Sequence, residues 1–149
     1  MNKKNVFLFP GQGSQYCGIG KNIFNFYNKS ESYFEIANEI LGYDIKKICF
    51  DAPKEELNKT KFTQPAIFIN SVIKDDILKK NGIYPSAVAG HSLGEYSALV
   101  SAEILSYEDT LKIIKVRSEQ MHIAGKKQPG GMAAIIGATN QQIKELCDH

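Results

Sequence analysis

At 149 residues the chain is long enough for one domain with a real core, since a chain of this size buries about 70% of its unfolded surface. A net charge of only +2, spread along the sequence, leaves no electrostatic footprint for a nucleic acid or an anionic membrane. No apolar run approaches the ~20 residues of a membrane span, and Val6 to Phe9 is too short for the core of a signal peptide, so a cytoplasmic protein is expected.

Asn5 to Phe9 is β-branched and aromatic and ends at Pro10-Gly11, which predicts a short buried strand and then a glycine-spotted turn. Ile19, Ile23, Phe24 and Tyr27 recur at helical spacing. Ser30 suits the cap of a next helix that carries Tyr33, Phe34, Ala37, Ile40 and Leu41 and stops at Gly42. Asp51 to Lys61 is a polar stretch. Pro65 then fits the first turn of a helix running to Gly82, with Ile69, Val72, Ile73 and Ile77 on one face.

Ala87 to Gly90 reads as a second strand, and Leu93 to about Val100 as a helix. Ser106 with Asp109 resembles a capping box and opens another helix, whose apolar side is Leu111, Ile114 and Val116. The stretch Lys126 to Gly130 reads as a loop with a Pro-Gly-Gly turn. Met132 to Ile136 predicts a strand, and Thr139 with Gln142 caps a last short helix. Strands alternating with helices give an α/β class with a largely parallel sheet flanked by helices. The late strand and helix mark residues 129–149 as the start of a second subdomain, after a larger unit over residues 1–128.

Three features bear on chemistry. Cys17, Cys49 and Cys147 fit neither metal nor redox spacing and read as buried or incidental thiols, and no metal is expected. Gly11-Gln12-Gly13 follows a strand but lacks the third glycine of a dinucleotide loop, where Tyr16 stands, and Ile19 occupies the lysine position of a P-loop. Nucleotide binding is therefore not expected, although the exposed N–H groups of such a loop can hold an oxyanion.

Gly90-x-Ser92-x-Gly94 lies between a predicted strand and a predicted helix, where a nucleophile elbow requires it. The serine is expected in a strained conformation that demands neighbours without bulk, with the Leu93 amide aimed at a substrate oxygen. The same residues also suit a plain helix start capped by Ser92. His91 is adjacent, but successive side chains leave a strand on opposite faces, so it reads as a supporting or structural residue rather than the base. His122, at what reads as a frayed helix end, and His149 show no spacing that implicates them. Of the 18 basic residues, Arg117 is the one arginine, so its planar fork marks a place for two-pronged hydrogen bonding, or a structural one.

The blocks "FPGQGSQ" (Phe9 to Gln15), "TQPAIF" (Thr63 to Phe68), "GHSLGEYSALV" (Gly90 to Val100), "RSEQM" (Arg117 to Met121) and "PGGMAAIIG" (Pro129 to Gly137) occur in this order. Together they resemble the malonyl-CoA:acyl carrier protein transacylases, the acyltransferases of fatty acid synthesis. The resemblance implies a malonyl ester on Ser92 that is discharged to the phosphopantetheine thiol of acyl carrier protein. It implies an oxyanion hole from the Gln12 and Leu93 amides and an Arg117 that grips the malonyl carboxylate. Gln64, His91 and Met121 would line or support that pocket, and no cofactor is implied beyond the two substrates.

Members of that family run to about twice this length, with a hydrolase-like domain and a ferredoxin-like insert. Their catalytic histidine and the polar residue that orients it lie in the second half. The resemblance therefore implies an N-terminal half, residues 129–149 opening the ferredoxin-like subdomain, with the general base and the C-terminal half as missing partners. An α/β-hydrolase-type esterase or thioesterase, and a non-catalytic piece that depends on a partner, are the alternatives.

Overall fold

The computed structural model of the chain describes residues 4–128 and 135–148. Its elements run β1 (Val6–Phe9), α1 (Lys21–Phe24), α2 (Ser30–Leu41), α3 (Ile45–Asp51), α4 (Lys54–Leu57), α5 (Thr60–Lys80), β2 (Ala87–Gly90), α6 (Gly94–Ser101), α7 (Tyr107–Lys127) and α8 (Asn140–Cys147). The two strands pair in parallel, Val6 opposite Ala87 and Phe9 opposite Gly90. The crossover between them runs through the glycine loop and helices α1 to α5, and α6 then returns to pack on both strands. This is the α/β arrangement that the alternation of elements predicts.

Helix α5 is the axis of the core. Its residues from Phe62 to Ile73 are buried without interruption, because α2, α3, α6 and α7 all pack around it. The one-sided stripe expected from Ile69, Val72, Ile73 and Ile77 is thus corrected to burial all round, the pattern of a helix inside a protein. Phe68 stacks on Tyr107 with ring centroids 5.6 Å apart, and Leu111 and Ile114 of α7 are fully buried. Each such side chain contributes about 1.5–3 kcal/mol by leaving water.

Pro65 is the sixth residue of α5, not part of its first turn. A proline there has no N–H for the Lys61 carbonyl four residues earlier. The Tyr43 hydroxyl donates to that carbonyl instead, at 2.9 Å, so the helix continues without an orphaned acceptor. Farther along, buried Asp75 accepts from Ser101 Oγ at 2.6 Å and Lys79 Nζ at 2.9 Å, which ties α5 to α6.

Several local expectations are corrected. β1 forms where expected but is not a buried strand: Val6 and Leu8 are 58% and 75% exposed. Among the described residues β1 pairs with β2 alone, and α6 leaves those two side chains uncovered. The helix over Ile19 to Tyr27 reduces to the single turn α1. Ser30 does not cap α2; Lys29 holds that position in helical conformation, and the buried Ser30 Oγ has no partner. Gly42 does end α2, at φ 82°.

The polar stretch from Asp51 to Lys61 contains α4, preceded by α3, whose start is capped by Asp44 accepting from the Lys47 amide at 2.9 Å. α7 runs on to Lys127, so Lys126 and Lys127 are helical, and Val116 is 59% exposed. Two residues along a helix turn roughly 200°, which puts Val116 opposite the buried Ile114. The caps of Ser106 on α7 and of Thr139 with Gln142 on α8 form as read. The Pro-Gly-Gly turn and Met132 to Ala134 lie outside the described residues, and Ile135 and Ile136 are exposed and belong to no strand.

Cys49 sits on the inner side of α3, and burial pushes its thiol up to about 12, whereas Cys17 and Cys147 are exposed. A thiol reagent at pH 8 should therefore modify two cysteines quickly in the native protein and the third only after unfolding. Fast modification of all three would contradict the packing of α3.

Candidate active site

Ser92 occupies the turn between β2 and α6 with φ 53°, a left-handed conformation that non-glycine residues rarely adopt. Its surroundings hold it there. A Cβ on Gly90 would stand 2.1 Å from the Gly94 carbonyl carbon, and one on Gly94 would stand 2.1 Å from the Phe9 oxygen. The two glycines let the start of α6 press against the ends of both strands, so the strained serine is fixed by close backbone packing. The His91 amide donates to the Phe9 carbonyl at 3.0 Å and extends the strand pairing to the edge of the turn.

This pairing brings the loop after β1 beside the elbow. Among the described residues, the amides of Gln12 and Leu93 donate to no protein acceptor, whereas the Gly94 and Glu95 amides close turns onto His91 and Ser92. Two unspent N–H groups, one next in the chain to Ser92 and one on the neighbouring loop, suit an oxygen that gains negative charge.

Arg117 reaches the serine from α7. Its Nη2 donates to Ser92 Oγ at 3.1 Å and its Nη1 to Gln64 Oε1 at 2.6 Å. Gln64 is completely buried on α5, and its Nε2 faces Met121 Sδ at 3.2 Å and Gln12 Oε1 at 3.5 Å. With the carbonyl end of Gln64 committed to the guanidinium, its amide end must face the other two. The Tyr96 ring lies under the guanidinium, 5.6 Å from its centroid. One prong of the fork is therefore locked on a buried amide while the other stands at the exposed serine, an arrangement that suits two-pronged hydrogen bonding.

Ser92, Arg117, Gln64, Met121 and Gln12 are thus drawn into one cluster, with Leu93 at its edge. His91 is exposed and makes no hydrogen bond to Ser92. His122 lies within α7 and not at a frayed end, and burial, then Lys126, Lys61 and Lys59, hold its pKa below the usual imidazole value. His149 is outside the described residues. Among the described residues no histidine is bonded to Ser92. Tyr96, in the first turn of α6, carries no motif signal of its own in the sequence; its place under the guanidinium comes from the packing of α6 against α7.

A serine held on a strand-to-helix turn of a parallel sheet, with an arginine bonded to it, defines an α/β protein with a serine-centred candidate site. The chain belongs to the acyl transferase domain family, which residues 6–149 match. It is 45% identical over 143 residues to a malonyl CoA-acyl carrier protein transacylase of Bacillus subtilis, covering 95% of this chain and 36% of that protein. A polyketide biosynthesis malonyl CoA-acyl carrier protein transacylase of Bacillus subtilis (strain 168) is 41% identical over 139 residues, or 93% of this chain and 46% of that one. The malonyl-CoA:ACP transacylase structure of Synechocystis sp. PCC 6803 superposes with a TM-score of 0.88 at 35% identity, over 99% of this chain and 49% of the other. The chain thus spans half or less of the length of these relatives. No helix among the described residues is long and apolar enough to cross a membrane.

Gly94→Ala should lower stability by about 1–3 kcal/mol, because the new methyl meets main chain that cannot turn aside. Gly125→Ala, on an open face of α7 where nothing lies within 4 Å, should instead stabilise by about 0.5–1 kcal/mol. Denaturant unfolding of the two variants measures both, and equal effects would contradict the contact at Gly94.

Proposed function

We propose that this chain carries the nucleophile, the oxyanion donors and the carboxylate clamp of a malonyl-CoA:acyl carrier protein transacylase. The observation that carries the reading is Arg117, divided between buried Gln64 and the Ser92 hydroxyl. The names of the relatives support the same substrates.

Ser92 Oγ attacks the thioester carbonyl of malonyl-CoA, and its proton passes to a base. The carbonyl oxygen becomes an oxyanion held by the Gln12 and Leu93 amides. Collapse expels the coenzyme A thiolate, which takes up a proton, and leaves a malonyl ester on Ser92. The phosphopantetheine thiol of acyl carrier protein then attacks the ester carbonyl, and Ser92 leaves with a proton as the free hydroxyl. Throughout, Arg117 binds the distal carboxylate, so the malonyl group lies between a fixed cation and the nucleophile. We infer that the base is a histidine outside the described residues, a reading supported by the lack of any bond from His91 or His122 to Ser92. We place it in the C-terminal half of a longer fold whose ferredoxin-like insert begins at residue 129, which agrees with the share of each relative that the chain covers.

Intact-mass measurement and peptide mapping after exposure to malonyl-CoA should find one malonyl group, on Ser92, and none in Ser92→Ala. Residues 1–149 alone should acylate about 10⁴ to 10⁶ times more slowly than a complete relative, the loss seen when a triad lacks its base. Full-speed malonylation of that segment would reveal a base within it. Arg117→Ala in the complete enzyme should lower preference for malonyl over acetyl thioesters by about 10²-fold, the worth of one charged hydrogen bond from the free prong. Unchanged selectivity would remove Arg117 from the pocket.

A further inference from the structure

The Gly11 to Gln15 loop carries more internal order than a glycine-rich turn needs. The Gly11 carbonyl accepts from the Ser14 amide at 3.3 Å and from Ser14 Oγ at 2.8 Å. That carbonyl shares a planar trans peptide with the Gln12 N–H, so holding the oxygen on Ser14 turns the N–H to the opposite side. The next peptide is held as well. The Gly13 amide donates to Gln15 Oε1 at 2.8 Å, and Gln15 Nε2 donates in turn to Asn58 Oδ1 at 2.8 Å.

Asn58 ends α4 two residues before α5 begins, and α5 carries Gln64, the partner of Arg117. Gln15 is half-buried although its loop is otherwise largely exposed. Among the described residues, the other side-chain bond from this loop to the helices is the long Gln12 to Gln64 contact at 3.5 Å. The bond between Gln15 and Asn58 is therefore the shorter of these two side-chain ties that hold the loop to the helices behind the clamp.

We propose that Gln15 and Asn58 form a latch that sets the position of the Gln12 amide, and that both are positioning residues for the oxyanion hole. This builds on the transacylase reading above. The latch joins the donor to the clamp, so a malonyl group fixed at its carboxylate by Arg117 presents its thioester oxygen where the Gln12 amide stands. Losing an oxyanion donor entirely costs 10²–10³ in kcat, and a donor left on an unlatched loop loses part of that.

In the complete enzyme, Gln15→Ala and Asn58→Ala should each lower kcat about tenfold while KM for malonyl-CoA changes less than about threefold. The double alanine variant should be no worse than either single one, since both break the same bond. Asn58→Asp keeps the acceptor and should restore most of the rate. Gln15→Glu keeps the acceptor for Gly13, and the Asn58 amide can turn to donate to it, so this variant should also recover. Gln15→Glu combined with Asn58→Asp sets two carboxylates against each other and should fall to the alanine level.

Hydrogen exchange at the Gly13 amide reads the latch without reference to activity and should be about tenfold faster in either alanine variant. Unchanged kcat and unchanged exchange in the alanine variants would overturn the proposal. A wild-type rate in the double carboxylate variant would overturn it too. If the wild-type protein transfers no malonyl group, the transacylase reading fails, and the exchange measurement still decides the latch.

Discussion

Gly94 lies so close to the Phe9 carbonyl that a Cβ there would stand 2.1 Å from the oxygen, and the geometry of the site descends from that approach. Two parallel strands of four residues each would be a weak frame alone. The start of α6 wedges against both of them, and the price of that close packing is a serine at φ 53°. In return, Phe9 opposite Gly90 sets the register that carries the glycine loop to the side of the serine. Ser92 is thus presented by main-chain contacts, which a change of side chains elsewhere disturbs little.

Helix α5 supplies the other fixed point. Its all-round burial and the Tyr43 hydroxyl on the carbonyl that Pro65 leaves free give Gln64 a rigid base in the middle of the core. A buried side-chain amide needs partners for both ends. Gln64 meets that need with Arg117 on one side and with Met121 and Gln12 on the other. The cation is thereby held at a chosen spot at the edge of the protein, where a flexible lysine would be free to swing.

Much of this was legible in the sequence because it follows local rules. Gly90-x-Ser92-x-Gly94 states its own steric requirement, Ala87 to Gly90 is apolar and flanked by breakers, and the caps of α7 and α8 are spelled out by Ser106 and by Thr139 with Gln142. Arg117 stood out because the chain otherwise uses lysine. Other features depend on distant residues. The bonds of Arg117 to Gln64 and Ser92 cross 53 and 25 positions, and no period in the sequence records such contacts. α3 and α4 offer only Ile45, Cys49 and Leu57 as buried positions, about one per turn, too few to announce a helix in a polar stretch. Val6 and Leu8 have the composition of a buried strand, but whether a strand is covered is decided by its neighbours.

The proposed site requires one malonyl group to touch the serine, both free amides and the arginine at the same time. A crystal structure of the complete enzyme trapped as its malonyl ester tests this most directly. The expected result is an ester on Ser92 with its carbonyl oxygen about 2.7–3.1 Å from the amides of both Gln12 and Leu93. The distal carboxylate should accept from the Arg117 fork while Gln64 keeps its bond to the guanidinium. An ester whose carboxylate lies away from Arg117, or whose carbonyl oxygen meets neither amide, would contradict the account.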